Sequence, residues 1–150
     1  MSFIEINPFV TDEEKNFFLS KIDEDDWIQH RNTKSGTLSP LNFKGPFVFR
    51  KHEVFLMKMY PNTVQDWHTD GVQFKRNTLI IHPLTDNYAP FQSETGQSDK
   101  VIIADTQSKH AVFNNEETRL NLQIFFDVDY SEAIKDNSIV WKTLKSFWNE

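Results

Sequence analysis

The sequence predicts a mainly β fold with flanking helices, and three observations carry this prediction. Short runs rich in aromatic and β-branched residues recur from residue 47 onward, turn-forming residues separate them, and helical patterns lie at both ends. Many short strands closed by terminal helices indicate a β-sandwich or β-barrel with a helical cover. The 150 residues suit one domain spanning 1–150, and no internal repeat or linker interrupts the sequence.

Two helical patterns flank the strands. Thr11 and Glu14 have the spacing of a capping box, and acidic residues follow Thr11 where a helix end is positive. Apolar residues then recur at helical intervals from Phe18, so we expect this helix to end near residues 23–26. The second pattern starts at Ser131 and predicts a buried stripe made of Ile139, Val140, Leu144, Phe147 and Trp148.

The strand candidates lie between these helices. They comprise residues 27–31, 47–50, 53–60, 67–70, 78–84, 101–105, 111–113 and 119–128. Residues 32–46 contain two glycines and two prolines, which predict a long loop. Residues 85–99 are polar and include Pro90 and Gly96, so we predict a surface loop placed to act as a lid.

Composition excludes several classes of function. The net charge of −6 comes without a strongly basic segment, so we expect no nucleic-acid partner. The sequence has no cysteine, which excludes disulfides, thiolate catalysis and cysteine–zinc sites. The N-terminal residues lack the pattern of a signal peptide and no apolar run approaches membrane-spanning length. We therefore expect a soluble, cytoplasmic protein without a membrane partner.

Four residues suggest a metal centre with a bound acid. His68 and Asp70 are two positions apart, so on a strand both side chains point to one face. His110 precedes the apolar run 111–113 and can supply a third ligand from another strand. Two imidazoles and one carboxylate suit non-haem Fe(II) and leave three coordination positions open. Asp105 is an alternative carboxylate, but its position at a strand end favours an ordinary role in a turn.

Arg119 lies at the start of a strand with two-residue alternation. Arg119, Asn121 and Gln123 share one face, while the intervening residues are apolar. The polar face is expected to line a cavity, and an arginine there binds a carboxylate through two parallel hydrogen bonds. His110 and Arg119 are expected on neighbouring strands joined by a turn at residues 114–118.

These residues resemble the pattern of the Fe(II)- and 2-oxoglutarate-dependent dioxygenases, which is His-x-Asp/Glu, a distal His, and then Arg or Lys. Here the matching positions are His68, Asp70, His110 and Arg119. The stretch 60–71 resembles the prolyl 4-hydroxylase branch of that family. The stretch 103–119 is more similar to the aspartyl/asparaginyl β-hydroxylases.

The resemblance implies a double-stranded β-helix, also called a jelly roll, together with a set of roles. His68, Asp70 and His110 would bind Fe(II), and Arg119 would bind 2-oxoglutarate. Tyr60 matches a tyrosine that helps to bind the cosubstrate in the prolyl branch, and His82 matches a cosubstrate histidine of the other branch. Core packing is an equally good interpretation of both residues. The second branch usually has an arginine two residues before that histidine, where this sequence has isoleucine.

The function implied is a hydroxylase that uses Fe(II), 2-oxoglutarate and O2, with ascorbate as a candidate reductant. Its substrate is expected to be an amino-acid side chain, free or in a peptide, or another small molecule. Two alternatives stay open: a non-catalytic jelly-roll binding module, and a cupin-like metalloenzyme that uses no 2-oxo acid. Cupins usually have more histidines in their first motif, and Arg119 has no role in them.

Overall fold

The strands form two antiparallel sheets in a computed structural model that describes residues 2–31, 36–70 and 77–150. The strands within those ranges are β1 Phe3–Glu5, β2 Ile28–Arg31, β3 Leu38–Phe49, β4 His52–Met59, β5 Val64–His68, β6 Thr78–Pro83, β7 Phe91–Ser93, β8 Gly96–Ser98, β9 Ile102–Asp105, β10 His110–Phe113 and β11 Arg119–Phe126. The larger sheet has the order β1-β9-β6-β11-β4-β3-β2, and the smaller has the order β5-β10-β7-β8. From β4 to β11 the chain passes repeatedly from one sheet to the other, as in a jelly roll.

The prediction of a mainly β fold with flanking helices is confirmed. Each of the eight predicted strands overlaps an observed strand. The helices are α1 Asp12–Leu19, α2 Tyr130–Ala133 and α3 Ile139–Trp148. None of these helices has both the length and the apolar character that a membrane-crossing helix needs.

The capping box at the start of α1 is present. The backbone N–H of Glu14 donates to Thr11 Oγ1 over 3.1 Å, and the backbone N–H of Thr11 donates to Glu14 Oε1 over 2.9 Å. The helix ends at Leu19, short of the predicted end near residues 23–26. The next residues form tighter turns, in which the N–H of Ile22 donates to the Leu19 carbonyl three residues back.

The C-terminal helical pattern is divided into α2 and α3. Ser138 begins the second helix, because its side chain accepts a hydrogen bond from the backbone N–H of Trp141. Of the predicted stripe, Val140, Leu144 and Phe147 are buried, whereas Ile139 is exposed and Trp148 is half-buried.

The two faces of the larger sheet have different partners. Val54 and Leu56 of β4 and Leu122 of β11 pack in one core with Phe18 of α1 and Leu144 of α3. Their neighbours in the strands point the other way, toward the smaller sheet. The cavity between the two sheets is therefore lined by alternate residues of β4, β6 and β11 and by residues of β5, β7 and β10.

The predicted loop at residues 32–46 is wrong from Leu38 onward, where the long strand β3 begins; residues 32–35 lie outside the described ranges. Pro40 lies at a register irregularity against β2. Gly45 and Pro46 lie at a second one, where both oppose the single residue Phe55 of β4. Since bulges break the hydrogen-bond ladder, proline and glycine are tolerated there, and these residues interrupt the pairing without ending the strand.

The predicted surface loop at residues 85–99 is also wrong for its second half. Residues 91–98 contain the hairpin of β7 and β8, and β7 pairs with β10. Phe91 and Ser93 are buried, and Phe91 is part of the cavity wall. Strands of three residues are too short to show two-residue alternation, so the sequence pattern does not reveal them.

Candidate metal centre

Two histidines meet across the pairing of β5 with β10. His110 lies directly opposite His68 in the register of these strands, and their ring centroids are 4.3 Å apart. Side chains of directly opposed residues lie on the same face of a sheet. The pairing therefore places the two imidazoles side by side, and His110 lines the cavity.

The two imidazoles are held in the same way. His68 Nδ1 lies 2.7 Å from the carbonyl oxygen of Asp66, and His110 Nδ1 lies 2.8 Å from that of Ser108. A carbonyl oxygen only accepts, so each Nδ1 carries the hydrogen and the lone pair of the neutral ring is at Nε2. Backbone carbonyls fix ligating histidines in this way in many metal sites.

Asp70 completes the group, although it lies beyond the strand. β5 ends at His68, so the shared strand face that was predicted does not place Asp70. Instead its backbone N–H donates to the Thr106 carbonyl over 2.9 Å. Asp70 Oδ1 then lies 3.4 Å from His68 Nε2 and 3.4 Å from His110 Nε2. The three ligand atoms lie within 4.8 Å of one another.

The charges of this group are coupled. Burial acts to raise the pKa of Asp70, but the rings of His110 and His68, whose Nε2 atoms donate to the carboxylate when they are protonated, outweigh it and lower that pKa to about 2. Burial likewise opposes protonation of His68, but the protonated ring can donate a hydrogen bond to Asp70, and this raises the pKa of His68 above its ordinary value. Asp70 is therefore ionised at neutral pH, and two imidazoles with one carboxylate form a donor set that fits a divalent transition metal.

Arg119 lies at the same cavity as a buried cation. Its side chain is only 2% exposed, its Nε donates to the Ala89 carbonyl over 2.9 Å, and its Cζ lies 4.0 Å from the centroid of the Tyr88 ring. Burial lowers the pKa of Arg119, yet a guanidinium keeps its charge at neutral pH. Its Nη1 has no hydrogen-bond partner among the described residues. A buried cation with an unused donor fits an anionic ligand.

The cavity next to Arg119 combines polar and apolar walls. Asn121 Nδ2 donates to the Tyr88 hydroxyl over 2.8 Å, and Gln123 is the next polar residue of the strand to line the cavity. The cavity volume is about 80 Å³, several times the roughly 10–15 Å³ that one water needs. A ligand of several non-hydrogen atoms therefore fits. The apolar wall consists of Leu41, Phe43, Met57, Leu79, Ile81, Phe91, Val112 and Phe125.

Tyr60 and His82 do not lie at this cavity, which corrects the role suggested for them. Tyr60 follows the end of β4, is 49% exposed, and its ring contacts the Lys58 ammonium at 4.9 Å. His82 lies on the helix-facing side of β6, where its Nε2 accepts hydrogen bonds from the backbone N–H groups of Phe9 and Val10. The alternative of a core histidine bonded to backbone is what the structure shows for His82.

Asp105 has the turn role that the sequence favoured. Its Oδ1 accepts from the backbone N–H of Gln107 over 3.0 Å, and its Oδ2 accepts from Ser108 Oγ over 2.8 Å. These bonds order the turn that leads into His110. Asp105 therefore supports the ligand turn, while Asp70 provides the carboxylate.

Two further residues contact the site and were not identified from the sequence. Tyr88, which stacks on Arg119, lies in a segment predicted to be a loop. Gln65 contacts His68 three residues further on, an odd spacing that strand alternation assigns to opposite faces. A bulge between His110 and Val112 in the pairing of β10 with β5 brings both side chains to one face.

Comparisons with known proteins show the fold. No family model and no curated protein matches the sequence. A solved oxidoreductase of the 2OG-Fe(II) oxygenase family from Burkholderia pseudomallei matches 83% of this chain and 84% of its own at 9% identity, with a TM-score of 0.58. The viral collagen prolyl hydroxylase of Paramecium bursaria Chlorella virus-1, solved with 2OG, matches 83% of this chain and 95% of its own at 12% identity, with a TM-score of 0.50. The predicted double-stranded β-helix is thus confirmed, and these low identities show the fold alone.

Proposed function

We propose that this chain is a single-domain, Fe(II)- and 2-oxoglutarate-dependent dioxygenase that hydroxylates an amino-acid side chain, free or in a peptide, or another small molecule. The observation that carries the proposal is that Asp70 and His110 of the ligand group, which His68 completes, line the same cavity as the buried Arg119 with its unused donor. The shared fold of the two solved proteins agrees with it.

The ligand group and Arg119 would have separate roles, in binding the metal and in binding the oxo acid. His68, Asp70 and His110 would hold the iron on one side and leave positions open on the other. Arg119 would pair with the carboxylate at the far end of the oxo acid, and Ala89 and Tyr88 fix the plane of its guanidinium. When bound, iron with the oxo acid and O2 supplies the oxidising chemistry that yields succinate, carbon dioxide and a hydroxylated substrate.

The alternatives account less well for Arg119. A non-catalytic binding module or a cupin-like metalloenzyme without an oxo acid would use the ligand group or the cavity but leave Arg119 Nη1 without a partner. Leaving a donor of a buried cation unpaired is costly. The decisive measurement is the visible absorption that 2-oxoglutarate produces on the anaerobic Fe(II) protein, followed by an assay of succinate formation.

The ligand group predicts the effect of removing its carboxylate. Asp70→Asn should weaken Fe(II) or Mn(II) binding at least ten-fold, because the only anionic ligand is replaced by a neutral amide. Asp66→Asn is the matched control, since Asp66 is two residues from His68 and its carboxylate binds only the neighbouring Trp67 N–H among the contacts described. Isothermal titration measures both affinities. Equal affinity of Asp70→Asn and the wild type would remove Asp70 from the metal centre.

The proposed role of Arg119 predicts a separate loss, that of affinity for 2-oxoglutarate. Arg119→Met should weaken 2-oxoglutarate binding about 30-fold or more while the metal stays bound, because a desolvated charge pair is lost. Arg119→Lys should restore part of the affinity, since it keeps the charge without the two-pronged geometry. Titration of 2-oxoglutarate into the Mn(II) protein measures this. An unchanged dissociation constant in Arg119→Met would contradict the role of the arginine as anchor.

A further inference from the structure

Gln65 contacts the atom of His68 that would bind the metal. Its side-chain Nε2 lies 3.0 Å from His68 Nε2. Because His68 Nδ1 is committed to the Asp66 carbonyl, the neutral ring offers only the lone pair at Nε2, and the amide N–H of Gln65 donates to it. Asp70 Oδ1 lies 3.4 Å from the same nitrogen, but an ionised carboxylate is only an acceptor and does not use the lone pair.

That lone pair has room for one partner. An imidazole nitrogen that accepts a hydrogen bond cannot coordinate a metal with the same lone pair. We propose that Gln65 competes with the metal ion for His68, so that metal entry requires the amide to release His68 Nε2 and turn away. The inference rests on the proposed function only in requiring that His68, Asp70 and His110 bind a metal.

The position of Gln65 in β5 places its amide next to the ring of His68. Gln65 pairs with Val112 in β10, and Val112 packs with Met57 and Met59 on the cavity side. The bulge then brings His68 onto the same face, three residues away. Gln65 is half-buried and uncharged, so it occupies His68 without adding a charge to the site. The competing bond keeps the ring oriented and lowers the affinity for the metal.

The test compares two glutamines of the smaller sheet. Gln65→Met keeps the length of the side chain but removes the donor, so Zn(II) and Mn(II) should bind about three- to ten-fold more tightly, the fold-change that corresponds to one net hydrogen bond. Gln92→Met is the matched control, because Gln92 is also half-buried in the smaller sheet but follows Phe91, which lines the cavity, and therefore lies on the opposite face of β7. Its metal affinity should equal that of the wild type. All three proteins are titrated at one pH.

A second measurement does not depend on the variant. In the wild-type protein, NMR should show the side-chain amide of Gln65 shifting when Zn(II) is added, in step with loss of the hydrogen bond to His68. Equal or weaker metal binding by Gln65→Met, or an amide signal that Zn(II) leaves unchanged, would overturn the competition. Failure of the proposed function looks different: the wild type would then bind no metal, or would bind it equally after Asp70→Asn.

Discussion

The imidazole of His82 lies on the face of β6 that packs under the helices. Its Nε2 accepts two backbone hydrogen bonds of 3.3 Å, from Phe9 and Val10, and its Nδ1 lies 2.9 Å from the Pro83 carbonyl. Burial, with a smaller contribution from the nearby charge of Lys15, lowers the pKa of His82 to about 4. At the residue scale, this histidine is a neutral acceptor that fixes the segment before α1.

This environment predicts a pH dependence of stability. Since the pKa of His82 is about 4 in the fold, below its ordinary value of 6.5, the unfolded chain binds more protons between these values. Neutral His82 therefore contributes about 3 kcal/mol to the free energy of unfolding. This contribution is complete above pH 6.5 and is lost as the pH decreases toward 4. His82→Gln keeps an acceptor without titrating, so its free energy of unfolding should fall less over this range. Urea denaturation at a series of pH values measures this.

The control for that experiment is His30→Gln, because His30 lies on the exposed strand β2. The pH dependence of its unfolding should match that of the wild type. If His82→Gln loses as much stability as the wild type between neutral and acidic pH, the account of His82 as a neutral acceptor is wrong.

Residue chemistry predicts the candidate ligand group better than it predicts the surroundings of that group. His68, Asp70, His110 and Arg119 have side chains suited to the roles assigned; the structure groups the first three, and Asp70, His110 and Arg119 line one cavity. Residue type does not say which face of a strand a side chain occupies. For that reason the sequence suggested His82 as a cavity residue and gave no sign of Gln65.

At the scale of elements, β3 shows how bulges hide a strand from sequence patterns. Gly45 has φ +131°, and a Cβ there would lie 3.1 Å from the Val54 carbonyl oxygen and 3.3 Å from the Phe47 nitrogen. Backbone atoms of the paired strand cannot yield easily, so this position requires glycine. The turn-forming residues that predicted a loop are therefore what allows β3 to bend along β4.

Gly45 accordingly predicts a contrast between two glycine positions. Gly45→Ala should lower the free energy of unfolding by about 2–4 kcal/mol, since backbone strain and steric overlap add. Gly36→Ala should lower it by about 1 kcal/mol, because Gly36 also has positive φ but no atom near the added Cβ. Chemical denaturation of both variants checks this. Equal losses would show that the close approach at Gly45 is relieved by local movement.

The candidate ligand group depends on a contact made beyond the end of β5. Strand alternation predicted the shared face of His68 and Asp70, but β5 ends at His68 and Asp70 is placed by its bond to Thr106. The sequence could not predict this, because the bond joins a loop to a residue that is distant in the chain. The alternation pattern predicted β11 correctly, because a strand of eight residues is long enough to show it.

At the scale of the whole molecule, the ligand group connects the two sheets. His68 and His110 belong to the smaller sheet, while Asp70 is bonded to Thr106, which directly follows β9 of the larger sheet. Arg119 begins β11 of the larger sheet and faces the same cavity. A ligand bound between them would contact both layers. We therefore expect binding to stabilise the fold as a unit rather than one loop.

The coupling of ligand binding to folding predicts how large this stabilisation is and which ligand must bind first. A metal present at 100 times its dissociation constant should add about 2.7 kcal/mol, which corresponds to roughly 5–10 °C in the unfolding temperature of a chain this long. Adding 2-oxoglutarate should raise the temperature further only when metal is present, and this second increase should disappear in Arg119→Met. Thermal unfolding with Mn(II), with 2-oxoglutarate and with both measures the increments, and Asp70→Asn should lose both of them. If 2-oxoglutarate stabilised the Asp70→Asn variant as much as the wild type, the acid would bind without the metal, and the two sites would not act together.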